Sequence, residues 1–233
     1  MKVAVLGIPE FPLGKKVFSD ERLEKLKELL HSPKIVYISI DFFDDSKLQE
    51  SDAIICLEDK KTDLIISDLD FIEKRLNQSS DEKEKQLLSR CQAELEKETL
   101  LNELNFTDEE KLILSNLGLP SLKPVSLVPQ DKANSHNEII KNIYELSGYI
   151  SFFTSNEKEL RAWSTKKGTT ALDAAGCIHS DIQRGFIKAE IVGYEDIIKH
   201  GGLNQAKSQG LMHLEDKEYV VEDGDLIKFR FNV

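Results

Sequence analysis

Two segments decide the reading of the last third of the chain: His179-Ser180-Asp181-Ile182-Gln183-Arg184-Gly185-Phe186-Ile187-Lys188-Ala189-Glu190-Ile191 and Val221-Glu222-Asp223-Gly224-Asp225-Leu226-Ile227-Lys228-Phe229-Arg230-Phe231-Asn232-Val233. In the second, Ile227, Phe229, Phe231 and Val233 alternate with Lys228, Arg230 and Asn232. A period of two puts one face of a strand in a core and the other in water. Ile187, Ala189 and Ile191 alternate with Lys188 and Glu190 in the same way. Thr170 is placed to begin a short helix through Ala171-Leu172-Asp173-Ala174-Ala175. From Tyr149 onward the pattern is mostly strand, and strands around one short helix predict a compact α+β unit of β-grasp type over 148–233.

Upstream the pattern differs. Val3-Ala4-Val5-Leu6 is a short apolar run ended by Gly7 and Pro9, the pattern of a buried strand. Ser19 is placed to cap a helix from Asp20 with Leu23, Leu26 and Leu30 on one face, and Ile35–Ile40 and Ala53–Cys56 read as further strands. This β-α-β-β order predicts a small α/β sheet. Ile65, Leu69, Ile72 and Leu76 then mark one helix face, and Leu88, Cys91 and Leu95 another. Asn77–Asp81 between them supplies turn residues, and Asp81 with Glu84 fits a capping box. The expectation is an antiparallel helical hairpin over 62–104, inserted into an α/β domain made of 1–61 and 105–147. Thr107 with Glu110 forms another capping box, Val125–Val128 returns to strand, and Ser135 with Glu138 is placed to cap a helix bearing Ile139, Ile140, Ile143 and Tyr144.

Bulk properties bound the function. A chain of 233 residues has room for two compact units. No apolar run approaches the roughly 20 residues that span a bilayer, and no leader pattern opens the sequence. Three scattered cysteines, Cys56, Cys91 and Cys177, predict buried thiols in a reducing compartment, so a cytoplasmic location is expected. Residues 1–150 hold 20 Lys/Arg against 29 Asp/Glu, a net of −9, while 151–233 hold 11 against 13, a net of −2. An acidic surface repels nucleic acid. Any RNA contact is therefore expected in the C-terminal part, and no membrane contact is expected.

The segment after the first strand, Gly7-Ile8-Pro9-Glu10-Phe11-Pro12-Leu13-Gly14-Lys15-Lys16, stands where a phosphate-binding loop G-x-x-x-x-G-K-[ST] would lie. Six residues separate Gly7 from Gly14, instead of four. Pro9 and Pro12 each remove an N–H donor, Glu10 places a carboxylate where phosphate would sit, and Lys16 replaces the hydroxyl that ligates Mg²⁺. Losing about three charge-assisted interactions of ~1.5–3 kcal/mol each weakens triphosphate binding on the order of a thousandfold or more. A D-x-x-G element would follow the second strand, where the chain reads Asp41-Phe42-Phe43-Asp44. A base-reading N-K-x-D element would follow Val128, where it reads Pro129-Gln130-Asp131-Lys132. The five histidines show no metal-ligand spacing. His179 beside Ser180 and Asp181 reads as a helix-end residue bonded to backbone rather than part of a triad. No catalytic, cofactor or metal residue is expected on this reading. The alternative keeps Gly7, Gly14 and Lys15 as a rebuilt loop for ATP or GTP with Mg.

Over the quoted C-terminal segments, and more weakly over Leu69–Leu76 and Leu122–Val125, the chain resembles the YchF family of P-loop nucleotidases, whose last domain is of the TGS type. The resemblance is weakest over 1–61. It implies an α/β remnant of a P-loop domain with an inserted antiparallel hairpin, followed by a TGS, ubiquitin-like β-grasp domain. It also implies docking on a ribosome, RNA or translation-related protein. Arg161, Trp163, Lys166, Lys167, Arg184 and Lys188 are the candidate contacts, because cations beside an aromatic suit phosphate contact with base stacking. Family nucleotide hydrolysis is not carried over, since its residues are absent. Two alternatives remain open: a divergent ATP/GTP-binding nucleotidase, and a regulatory partner of a full-length YchF relative.

Overall fold

A computed structural model describes residues 1–232, so the expected strand position of Val233 lies outside the described residues. The chain forms two compact units, one from 1–16 with 40–147 and the other from 17–39 with 148–233. In order, the elements are β1 (Lys2–Leu6), β2 (Gly14–Phe18), α1 (Glu21–Leu30), β3 (Ile35–Val36), β4 (Ile38–Phe43), β5 (Ala53–Leu57), α2 (Lys61–Gln78), α3 (Glu82–Leu95), α4 (Asp108–Ser115), β6 (Val125–Val128) and α5 (His136–Leu146). The second half adds β7 (Tyr149–Ser155), β8 (Leu160–Lys166), α6 (Ala171–Ile178), α7 (Ser180–Arg184), β9 (Phe186–Gly193), α8 (Tyr194–Lys199), α9 (Leu203–Ser208), β10 (His213–Glu215) and β11 (Asp225–Phe231).

The first unit is built on a sheet in the order β2-β4-β1-β5-β6. β1 pairs in parallel with β4 and β5, and β5 with β6. Parallel strands are covered on both faces and read as continuous apolar runs; Ala53–Leu57 is accordingly buried at every position. The apolar stripes of α2 and α3 close on this sheet: Ile65, Ile72, Leu88, Cys91 and Leu95 join Ala4, Leu6, Ile54 and Cys56 in one core. α2 and α3 are joined through 79–81, where Arg75 Nε meets Glu84 Oε1 at 2.7 Å. Glu84 also accepts from Ser79 Oγ, so it makes no capping box with Asp81; Asp81 alone accepts from the Lys83 amide. At α4 the reciprocal box of Thr107 and Glu110 is present. The Ser135 side chain makes no cap bond to α5, because its backbone (ψ 56°) lies outside the extended region that aims a hydroxyl at the first turn.

The second unit is a sheet in the order β10-β9-β11-β7-β8-β3. β7 and β8 are antiparallel, β11 lies parallel to β7, and β9 pairs antiparallel with both β11 and β10. α6, capped by Thr170, puts Ala171 and Ala174 into a core with Phe152, Ala189, Ile191 and Ile227.

Residues 17–39, expected with the first domain, are part of this second unit. β3 pairs with β8, and Arg22 of α1 bridges Asp20 (2.7 Å) and Asp223 (2.8 Å) while its guanidinium covers the Phe153 ring. The α1 cap is Asp20 rather than Ser19, because a carboxylate accepts the Arg22 amide and pairs with the Arg22 guanidinium together. The run Ile35–Ile40 divides into two strands because it serves two sheets, β3 beside β8 and β4 beside β1.

Three further expectations are corrected. Cys177 is exposed, since it falls off the Ala171–Ala174–Ala175 stripe by which α6 is buried. Ile187 is 55% exposed, and the β9–β11 register shifts beside it at Arg230/Phe231, so the alternation fails at the strand's start. Phe231 is 46% exposed for the same reason.

Candidate functional site

The segment after β1 is fixed by two apolar anchors. Ile8 and Phe11 are buried, and the Phe11 ring meets Phe42 edge-on at 5.2 Å and His136 at 5.0 Å between centroids. Between them Glu10 holds a φ of 55°, a left-handed conformation that side chains other than glycine enter at a cost. Gly7 has φ 77°, and a Cβ there would lie 2.4 Å from Lys60 Cγ, so the Lys60 stem lies against the end of β1. The chain then enters a strand, β2, with Lys15 exposed on it. In a phosphate-binding loop, a nest of amides runs straight into a helix N-terminus that faces the anion. Here Gly7, Gly14 and Lys15 are joined by a loop that leads to a sheet edge instead.

The two other stretches weighed for nucleotide contact have structural employment. Asp44, which stands where D-x-x-G has glycine, caps the 3-10 turn Asp45–Lys47 by accepting from the Ser46 amide at 3.1 Å. Gln130–Lys132 forms an exposed 3-10 turn. A crevice of about 280 Å³ opens at this end of the sheet, lined by Leu6, Leu48, Leu64, Asp45, Ser46 and Asp63. Its rim is anionic: Asp63 is paired with Lys60 at 3.1 Å, and Asp45 has no ion pair among the described residues. Among the described residues no group of three His, Cys, Asp or Glu is arranged to hold a metal ion.

Burial acts on the titratable groups of this unit. It pushes the Cys56 thiol up to about 12 and the Cys91 thiol up to about 11, so both stay protonated and inert. Burial also pushes the Asp68 carboxyl up to about 6, partly offset by the hydrogen bond from the Ser121 amide and by the Lys123 charge.

In the second unit the six expected contact residues do not form one patch. Arg161 and Trp163 share a face of β8; Arg161 pairs with Glu159 at 2.9 Å and lies over the indole at 5.0 Å. Trp163 is half-buried, stacks on Phe152 and donates from Nε1 to Thr154 Oγ1 at 2.9 Å. Lys166 sits at the other end of β8 with Nζ 3.8 Å from the Tyr149 ring centre, and Lys167 follows in an exposed turn. Lys188 precedes the core residue Ala189, so it projects from the face opposite Phe152, and it pairs with Asp216 at 2.6 Å. Arg184 is on α7 and pairs with Asp181 at 2.7 Å. On the face of Lys188, Lys228 and Arg230 stand in register with Glu190 and Lys188, and Arg230 pairs with Glu190. Strand alternation already placed Lys228 and Arg230 outward, a signal that sequence reading did not use.

Much of the segment 179–191 has a structural explanation. His179 Nδ1 accepts from the Asp181 amide at 3.1 Å and so caps α7, the helix-end role expected for it. Gly185 lies so close to the last strand that a Cβ would be 2.2 Å from the Asn232 carbonyl oxygen.

Residues 149–232 match the family model YchF-GTPase_C, described as a protein of unknown function (DUF933). The "Ribosome-binding ATPase YchF" of Bacillus subtilis (strain 168) is 45% identical over 126 residues, covering 54% of this chain and 31% of that protein. The protein of the same name from Buchnera aphidicola subsp. Schizaphis graminum is 32% identical over 233 residues, covering 74% of this chain and 64% of that one. The chain thus spans less than two thirds of the length of these relatives. The structure of the Schizosaccharomyces pombe YchF GTPase superposes with a TM-score of 0.79 at 19% identity, covering 99% of this chain and 97% of that one, a likeness of fold. Among the described residues no helix is long and apolar enough to cross a membrane. By these matches the chain is similar to proteins of the YchF family, and its residues 149–232 match that family's C-terminal model.

Proposed function

We propose that this protein is a cytoplasmic YchF-type docking protein. It binds a ribosomal, RNA or translation-related partner through its second unit and the α2–α3 arm, without the family's nucleotide chemistry. In this reading 148–233 is a TGS-type β-grasp domain, supported by a β7–β8 hairpin, the helix α6, and a last strand lying parallel to β7 between it and β9. The pair α2–α3 is the inserted helical hairpin. The first unit is a shortened and degenerate nucleotide domain.

The observation that carries this reading is the course of the chain after β1. The loop is held down by Phe11 and runs into a strand, and the neighbouring rim presents Asp45 and Asp63 where a polyphosphate needs donors. Candidate contacts in the second unit are Arg161, Trp163, Lys166, Lys167, Arg184 and Lys188. Most of these cations already hold an internal partner, so their contribution to docking comes by exchange of one anion for another. Sedimentation with purified ribosomes through a sucrose cushion tests the reading: co-sedimentation that weakens steadily between about 0.1 and 0.5 M salt is expected for phosphate contacts. Failure to sediment with ribosomes at the lower salt would refute it.

A second reading is a divergent ATP- or GTP-binding nucleotidase in which Gly7, Gly14 and Lys15 belong to a rebuilt loop. The matched relatives are themselves named ribosome-binding ATPases, and that name supports this reading more directly than docking without catalysis. A third, regulation of a full-length YchF relative, predicts recovery of that relative and no free ribosome binding.

A further inference from the structure

We propose that the crevice at the C-terminal edge of the first sheet receives a lysine side chain from a protein partner. The inference rests on the docking reading and names the chemistry of one contact. In open parallel sheets, ligands bind beyond the carboxyl ends of the strands, where the strand order reverses. β1 is that point here: β4 lies on one side of it and β5 on the other. Leu6, the last residue of β1, lines the crevice.

Its chemistry is that of an amphipathic cation. Leu6, Leu48 and Leu64 make an apolar floor, while Asp45, Ser46 and Asp63 make the rim. A lysine buries its methylene stem along apolar surface and keeps its ammonium at a polar edge. At about 280 Å³ the space is large enough for one long side chain. Lys60 already illustrates the contact from within the chain, pairing with Asp63 at 3.1 Å. Asp45 is left exposed, with no ion pair among the described residues. Ser46 donates its hydroxyl proton to Asp44, which leaves its lone pairs for a donor from outside. The surrounding unit holds 16 Lys/Arg against 25 Asp/Glu, a net of −9, so its field attracts a basic protein segment and repels polyphosphate.

The test follows the methyl resonances of Leu48 and Leu64 in the full chain while a capped tri-lysine peptide is added. Saturable shifts are expected, with affinity about threefold lower for Asp45→Asn, the scale of a rim ion pair. For Asp45→Lys the loss should be about tenfold or more. Asp45 is exposed, so the remaining spectrum of each variant should stay that of the wild type. Absent shifts, or shifts equal in wild type and variants, would overturn the proposal. So would spermidine saturating the same resonances as tightly as the peptide, since the occupant would then be a free polyamine. Ribosome co-sedimentation with a silent crevice would sink this inference alone; MgATP saturating the same resonances would sink it together with the docking reading.

Discussion

The Phe11 ring stands edge-on to Phe42, 5.2 Å between centroids, and this pair holds the segment after β1 down on the sheet. Aromatic pairs of this geometry contribute beyond their buried area. Truncating a buried Phe removes both that contact and the apolar transfer term. Phe11→Ala is expected to cost about 3 kcal/mol, read as a lower urea midpoint at unchanged slope. It should not create nucleotide affinity, because Pro9 and Pro12 still lack their amides. A variant as stable as wild type would mean that the loop is not anchored there.

Gly185 and Asn232 give a second prediction. The Asn232 amide donates to the Gly185 carbonyl, and the Asn232 oxygen would be 2.2 Å from any Cβ at 185. The obstruction is backbone, so it cannot swing aside. Gly185→Ala should cost about 2 kcal/mol or more through strain on the end of β11. Gly176→Ala is the comparison: the atoms a Cβ would meet there belong to the Gln183 side chain, at 2.8 Å, which can rotate away. Equal losses in thermal melts of the two variants would contradict this assignment.

Asp68 carries a pH prediction. It is buried in α2; its Oδ2 accepts from the Ser121 amide at 2.9 Å, while Oδ1 and the Ser121 hydroxyl have no partner. Burial raises its pKa from 3.8 to about 6. A carboxyl whose folded pKa is raised favours the fold while it is neutral. Its contribution is therefore full below about 3.8, declines as pH rises to about 6, and stays lost above that. Asp68→Asn should accordingly be more stable than wild type at pH 8, by up to about 3 kcal/mol, and close to it at pH 3.5. Denaturant melts at the two pH values check this. A variant destabilised equally at both would show that the carboxylate is satisfied in its charged form.

What was legible in the sequence was what local rules encode. The reciprocal bonds of Thr107 and Glu110 require a fixed spacing, and the stripe Leu88, Cys91, Leu95 requires one helix face; both are found as written. β2 was not legible, because Gly14–Phe18 buries a single residue, Phe18, and so shows no period. α7, α8 and α9 are five or six residues long, too short for a helical stripe to repeat. The assignment of 17–39 to the second unit depends on Arg22 meeting Asp223, a pair separated by 201 positions. At the candidate site, Pro9, Pro12 and Glu10 pointed to missing donors, but the anchoring of the loop by Phe11 and the crevice beside it needed the fold.

Calorimetric titration of the full chain with MgATP, and in parallel with MgGTP, decides whether the chain holds a nucleotide. A loop in which Pro9 and Pro12 supply no amide donor should give no saturable heat up to about 1 mM nucleotide, in line with the roughly thousandfold loss expected from its missing interactions. Saturable binding of either nucleotide in the micromolar range would contradict the account and restore the nucleotidase reading.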